Sequence, residues 1–499
     1  MSAVPVVTRR RWIVRLIVAF VVLVTALVLV RRPLAGAAIA ATLKMVGAGD
    51  VKLDVTQASP WRVEVADLGF RVRAQRFDAK RVTLDRRHWW SPSFASIRVE
   101  GAKVPVTVDG SDTNPWQWAS YSGGGGGTTT TLAVPAEEVS IDGVLVVQAA
   151  GEQQQDVRVQ FAVKPAGKDR WSGDVNATAP GFAAKIGGEF NYASGTWKFQ
   201  VADAQLDLAQ WQDFIGQMVV LPGGKWSLAG KLRGSATGAY AGGKLALAGD
   251  VELSDARFEF PARNVVADGV SAKFHFRDLD KFISEPGDVH VASLTAGEIK
   301  TTNLELQLAF DTVEKIAVSH ATLEAFGGRL AAEPFRFFPR QNELEAVLLV
   351  DGLVVEQLLA LARDVPAKAT GRVDGRVPLR IDGAGIRFGT GWLELKRGVY
   401  AEVQFNADGL LTSGVAPNSA QYTVMKKIEA GLLRLKLAEL RLDIRPPKAP
   451  PGRSAIVHLA GSPVDPEVKA PVTLDLNVNG PFESLLNLGL NSRVSFGGK

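Results

Sequence analysis

The feature that most constrains this chain is a two-residue alternation of apolar and polar side chains that recurs along most of its length. In Asn303–Asp311 (NLELQLAFD), Leu304, Leu306, Leu308 and Phe310 fall on one side and Glu305, Gln307 and Ala309 on the other. A half-buried strand requires this, because successive side chains of a strand point to opposite faces. The pattern returns at Val104, Val106 and Val108, at Leu245 and Leu247, and at Phe274 and Phe276. It returns again at Val377, Leu379 and Ile381, at Leu393 and Leu395, and at Leu474, Leu476 and Val478. Asp-Gly or Asn-Gly steps at 109–110, 142–143, 268–269, 374–375, 382–383, 408–409 and 479–480 read as tight hairpin turns between such strands. Together they predict a mostly β protein, a long antiparallel meander. Helical spacing is confined to Asp207–Met218, Val354–Arg363 and Ser419–Ala430, read as caps or plugs at the end of a sheet.

A meander with one apolar face hides that face in one of three ways: a two-sheet sandwich, a closed barrel, or a curved sheet covered by something bound in it. Alternation alone favours the sandwich. The 499-residue length shifts the balance, being about twice what a single sandwich needs. At roughly 12 to 15 residues per strand and turn, the chain holds on the order of 30 strands, or a sheet about 150 Å long at about 4.8 Å per strand. Such a sheet twists and curls into a trough, a repeating β-groove with an apolar lining. The candidate lining is the set of alternating residues named above, Phe274 and Phe276 aside.

The N-terminus carries a different signal. Leu16–Val30 is an unbroken apolar run with Phe20, Leu23 and Leu27 along it, and Trp12–Val14 extend it if Arg15 snorkels, giving an anchor over 12–30. A cleaved signal peptide is the competing reading, with Ala35-Gly36-Ala37 as the processing site. Arg31 and Arg32 directly after the apolar run favour an uncleaved single-pass helix. Arg9, Arg10, Arg11 and Arg15 precede it, so the positive-inside bias keeps residues 1–11 cytoplasmic and exports the body, most simply to a bacterial periplasm. The six arginines of residues 1–32 also account for the net charge of +5, leaving the exported part near −1. Nucleic acid therefore has no basic surface to bind there.

Chemistry is hard to find. The absence of cysteine excludes disulfides, iron–sulfur clusters, thiolate zinc and thiol nucleophiles. The five histidines (His88, His275, His290, His320 and His458) show no metal-ligand spacing, and no nucleophile elbow or phosphate loop is present. No cofactor or catalytic residue is assigned, and the chain reads as a non-enzyme. Ser122–Thr131 (SGGGGGTTTT) reads as a flexible loop between an anchor-proximal β module, 33–121, and an elongated body, 132–499. His88-Trp89-Trp90 reads as strands passing near a membrane surface.

Several segments resemble a known family. Ala325–Leu330 (AFGGRL), Gly375–Gly383 (GRVPLRIDG), Trp392–Leu395 (WLEL) and Leu459–Asn479 are similar to the YdbH-like branch of the AsmA-like superfamily of bacterial envelope proteins, from roughly residue 250 onward. Ala136–Val147 and Asp78–Arg86 resemble the general pattern of that superfamily. The resemblance implies an inner-membrane-anchored bridge that moves phospholipids to the outer membrane along its groove. It also implies a small outer-membrane lipoprotein added as a strand at the far end, for which residues 470–480 and 492–496 are the candidate edge. Another branch implies a different role, an envelope assembly scaffold acting through exposed strand edges.

Overall fold

The computed structural model describes residues 30–479 apart from 45–47, 73–74, 89–92, 109–135, 150–153, 168, 192, 219–223, 242–243, 340, 342, 361–366, 383–384, 406–411, 446–452, 467 and 469. All of the expected anchor except Val30 lies outside these residues, as do the four topology arginines, the Gly/Thr-rich loop, Trp89, Trp90 and the 492–496 edge. Among the described residues are 27 strands and four short helices, and no helix is long and apolar enough to cross a membrane.

The chain forms two compact units. In the first, β1 (Ala48–Ala58), β2 (Arg62–Val72), β3 (Gln75–Asp85) and β4 (Ser96–Val108) pair antiparallel in sequence order. The next strand, β5 (Val139–Ala149), joins β4 in parallel, contrary to the all-antiparallel expectation. Residues 109–138 separate the two, enough chain for the crossover that a parallel pair needs and a hairpin does not. Antiparallel order resumes through β6 (Gln154–Gly167), β7 (Arg170–Ala179), β8 (Phe182–Asn191) and β9 (Thr196–Asp207). A helix over residues 30–44, α1, lays Ala35 and Ile39, one turn apart, against a core of Val55, Ala58, Val65 and Val82. Gly36 permits the approach, since a Cβ there would sit 3.3 Å from Leu53 Cδ1 and 3.4 Å from Val55 Cγ2.

Strands β10 (Ser227–Ala241) and β11 (Lys244–Phe260) contribute residues to both units. The second unit continues with β12 (Val265–Asp278), β13 (Ile283–Ser284), β14 (Gly287–Ala296), β15 (Ile299–Thr312), β16 (Lys315–Ala325), β17 (Gly328–Ala332), β18 (Phe335–Phe338) and β19 (Glu343–Val354). It ends with β20 (Ala367–Thr370), β21 (Arg372–Asp382), β22 (Gly385–Phe388), β23 (Gly391–Leu395), β24 (Glu402–Phe405), β25 (Arg434–Ile444), β26 (Arg453–Pro463) and β27 (Val472–Asn479). Helices α2 (Gln212–Met218), α3 (Val355–Leu359) and α4 (Ala420–Leu433) fall at the three places where helical spacing predicts them. The N-terminus of α4 is capped by Ser419, whose hydroxyl accepts from the Tyr422 N–H at 3.1 Å.

Three of the Asp-Gly steps are not turns. Asp142-Gly143, Asp268-Gly269 and Asp374-Gly375 lie inside β5, β12 and β21. Two needs other than a hairpin explain the glycines. Gly269 has φ +62° and sits in a bulge between β11 and β12. At Gly375 the neighbouring strand is so close that a Cβ would lie 2.2 Å from the Trp392 carbonyl oxygen. Asp382 does close a hairpin, pairing with Gly385. The remaining steps lie wholly or partly outside the described residues. Further bulges occur at Gly101, Asp255, Asn303 and Gly352, each at positive φ beside a register shift. Each bends its strand and increases the local twist.

Candidate functional site

Cross-strand register decides which alternating residues share a face, because directly paired residues of neighbouring strands point the same way. In the second unit one rung runs Leu253–Ala272–Val289–Leu306–Ala321–Ala332–Leu348–Val377, one residue from each of eight strands. Leu304 pairs with Val291, Leu308 with Gly287 and Val318, and Phe310 with Ile316. Leu379 pairs with Ala346 and Phe388, and Ile381 with Leu344 and Ile386. Beyond β21, Gly375 meets Leu393 and Val373 meets Leu395. Leu393 continues to Leu442, Val457 and Leu476; Leu440 to Leu459 and Leu474; and Ile444 to Ala455 and Val478. Every candidate lining residue from 304 onward thus falls on one apolar face, Val478 by its backbone pairing. Leu245 and Leu247 are half-buried on β11.

The first unit has its own row: Val55–Val65–Val82–Val99–Ile141–Phe161–Val175–Ile186–Val201, spanning nine strands. Val104 and Val106 pair with Leu145 and Val147 on the same sheet and are half-buried. Val108 pairs with Ala149 through its backbone.

The second unit's face has two kinds of surroundings. Leu304, Leu306 and Leu308 are half-buried, between exposed Glu305 and Gln307 on the opposite face. At the end of β15, Phe310 enters an aromatic knot, its ring centroid 5.2 Å from that of Phe274 and 5.0 Å from that of Phe282. Phe276, 3% exposed, closes the knot 4.9 Å from Phe282. Farther along, Val373, Val377, Leu435, Leu437, Ile444 and Leu459 are buried in one cluster. Val355, Leu358 and Leu359 of α3, Ala369 of β20 and Val403 of β24 join them, with Leu393, Leu395 and Leu474 packed alongside. Leu476 is exposed.

The opposite face is charged. Asp374, Glu394, Arg441, His458 and Asp475 form a row across five strands. His458 Nδ1 bonds the Asp475 carboxylate, and that bond holds the imidazole above its ordinary pKa. Lys396 bonds the Asp351 carboxylate, and that bond and its charge hold Asp351 below the usual carboxylate range; the same ammonium lies 3.5 Å from Asp374. Arg376 reaches Glu333 at 3.0 Å and Arg380 reaches Glu345 at 2.9 Å. His275, on the charged side of β12, meets Asp250 at 2.9 Å. Among the described residues no group of three or more His, Asp or Glu is placed to hold a metal ion.

Sequence reasoning missed α1 against the first strands, the aromatic knot and the cluster under α3. The Ala35/Ile39 spacing was the only signal of the first, and Phe282 follows β12 without any alternation to mark it.

A sheet with a register-matched apolar surface on one side and ion pairs on the other belongs to the class of amphipathic β-sheet proteins, whose apolar face is covered either by packed chain or by a bound apolar molecule. The family model for YdbH-like proteins, described as intermembrane phospholipid transport protein YdbH, matches residues 113–396, more than half of the chain. The chain belongs to the YdbH-like family, an envelope lipid-transport family. No curated protein and no solved structure matches it.

Proposed function

We propose that this protein carries phospholipids between the inner and outer membranes of a bacterial envelope, held in the inner membrane by residues 12–30, with its body in the periplasm. Acyl chains lie along the half-buried rungs and head groups remain in water. At about 0.8 kcal/mol per CH₂, a sixteen-carbon tail crossing water uncovered would cost on the order of 12 kcal/mol, so a continuous apolar cover removes most of the barrier. No covalent step or cofactor is required. The observation that carries the reading is the rung through Leu306, half-buried and inside the family-matched segment. In this reading β27, which pairs with β26, offers its other side to a strand of an outer-membrane lipoprotein.

The test is native mass spectrometry and lipid extraction on the chain isolated from bacterial envelopes. Wild type is expected to carry phospholipid, and Leu306→Arg to lose it while keeping its circular dichroism. Lipid-free wild-type protein would sink the reading and favour the scaffold role.

A further inference from the structure

Among the described residues, α1 covers the first unit's row at the end formed by β1 to β3. Val55, Val65 and Val82 are 8%, 1% and 9% exposed beneath α1, and Val99 on the next strand packs against them, whereas Ile141 and Phe161 on the two strands after it are half-buried and outside that cluster. The cover is tight, with Gly36 lying where a larger residue would press on Leu53 and Val55. The outer side of α1 is different, with Leu34 62% exposed. The family match begins at residue 113, after β4, so Ile141 and Phe161 lie within the segment shared with phospholipid transporters and Val55, Val65, Val82 and Val99 lie before it.

We propose that α1 is a fixed cap over the first three rungs, and that a phospholipid tail first seats on the row at Ile141 and Phe161, arriving sideways past the helix. This rests on the lipid-transport reading above. The covered rungs then serve as a rigid base and hold no lipid. Freeing them would expose Val65 and its neighbours to water with nothing in exchange, whereas the half-buried rungs are already open to a tail.

The experiment uses the full chain in its own membrane. A benzophenone amino acid replaces Phe161, Val65 or Leu306 in turn, and lipid adducts are read by mass spectrometry after irradiation. Adducts are expected at Phe161 and Leu306 and none at Val65. In parallel, Gly36→Cys with Val55→Cys, in a chain that has no other cysteine, fastens α1 to the sheet as a disulfide. Adduct yield at Phe161 is expected to be unchanged on oxidation. Adducts at Val65, or a loss of at least about tenfold at Phe161 on oxidation that reductant reverses, would overturn the fixed cap and leave lipid transport standing. Absence of adducts at all three positions would overturn both.

Discussion

The leucines of β15 and those of β25 obey the same alternation on the same apolar face, yet their surroundings differ. Leu304, Leu306 and Leu308 stay half-buried, while Leu435 and Leu437 are 1% and 6% exposed. The sheet itself does not cause this, since both strands are paired on both sides. What differs is the chain sent over the face. Near β25 the helix α3 brings Val355 into the cluster, and the short strands β24 and β20 extend the sheet from β25, with Val403 paired to Leu435 and Ala369 to Val403. Beside Leu306 the paired neighbours are Val289 and Ala321, and among the described residues these three stand outside the α3 cluster. A period of two fixes which residues share a face; the connections between strands decide whether that face is a core or a surface.

The comparison breaks most sharply under charge. Leu435→Asp places an unpaired carboxylate in a packed cluster, costs several kcal/mol, and is expected to abolish the cooperative thermal transition. Leu306→Arg can turn its head toward water and is expected to melt within a few degrees of wild type. Equal collapse of both would show that the β15 face is as closed as the other. Truncation gives a smaller contrast: Leu459→Ala is expected to cost about 2 to 5 kcal/mol and Leu306→Ala about 1 kcal/mol, scaled to the apolar area each buries. Urea midpoints measure both. The smallest effect concerns the charged side of the packed stretch. Because the folded pKa of His458 is raised, its pair with Asp475 contributes fully below about pH 6.5 and is lost as pH rises through the raised value. His458→Asn is thus expected to lower Tm slightly at pH 5.5 and not at pH 9.

Much of this was legible in the sequence. Asn303–Asp311 announced its strand and its inward residues, and Val377, Leu379 and Ile381 theirs, because alternation is a local property. The Asp-Gly steps misled because a glycine that relieves a close strand contact looks the same in sequence as one that makes a turn; only the Trp392 carbonyl beside Gly375 separates the two. The cluster under α3 was not legible either. Val355 and Val403 are distant in sequence, and no spacing rule says that a helix of five residues will lie on the same face as a strand forty positions later.

The pairing of β11 through β16 has a consequence for how such a chain can change. Apart from the two-residue β13, each strand there bonds to the strands before and after it, so most contacts are local in sequence. Stability in such an array is a sum over neighbours, and length is a quantity that can be added or removed in units of one hairpin. Duplication of a hairpin would lengthen the face by two strand widths, about 10 Å, without disturbing the residues on either side. Reach can then evolve by counting repeats, independently of the surface that each repeat presents.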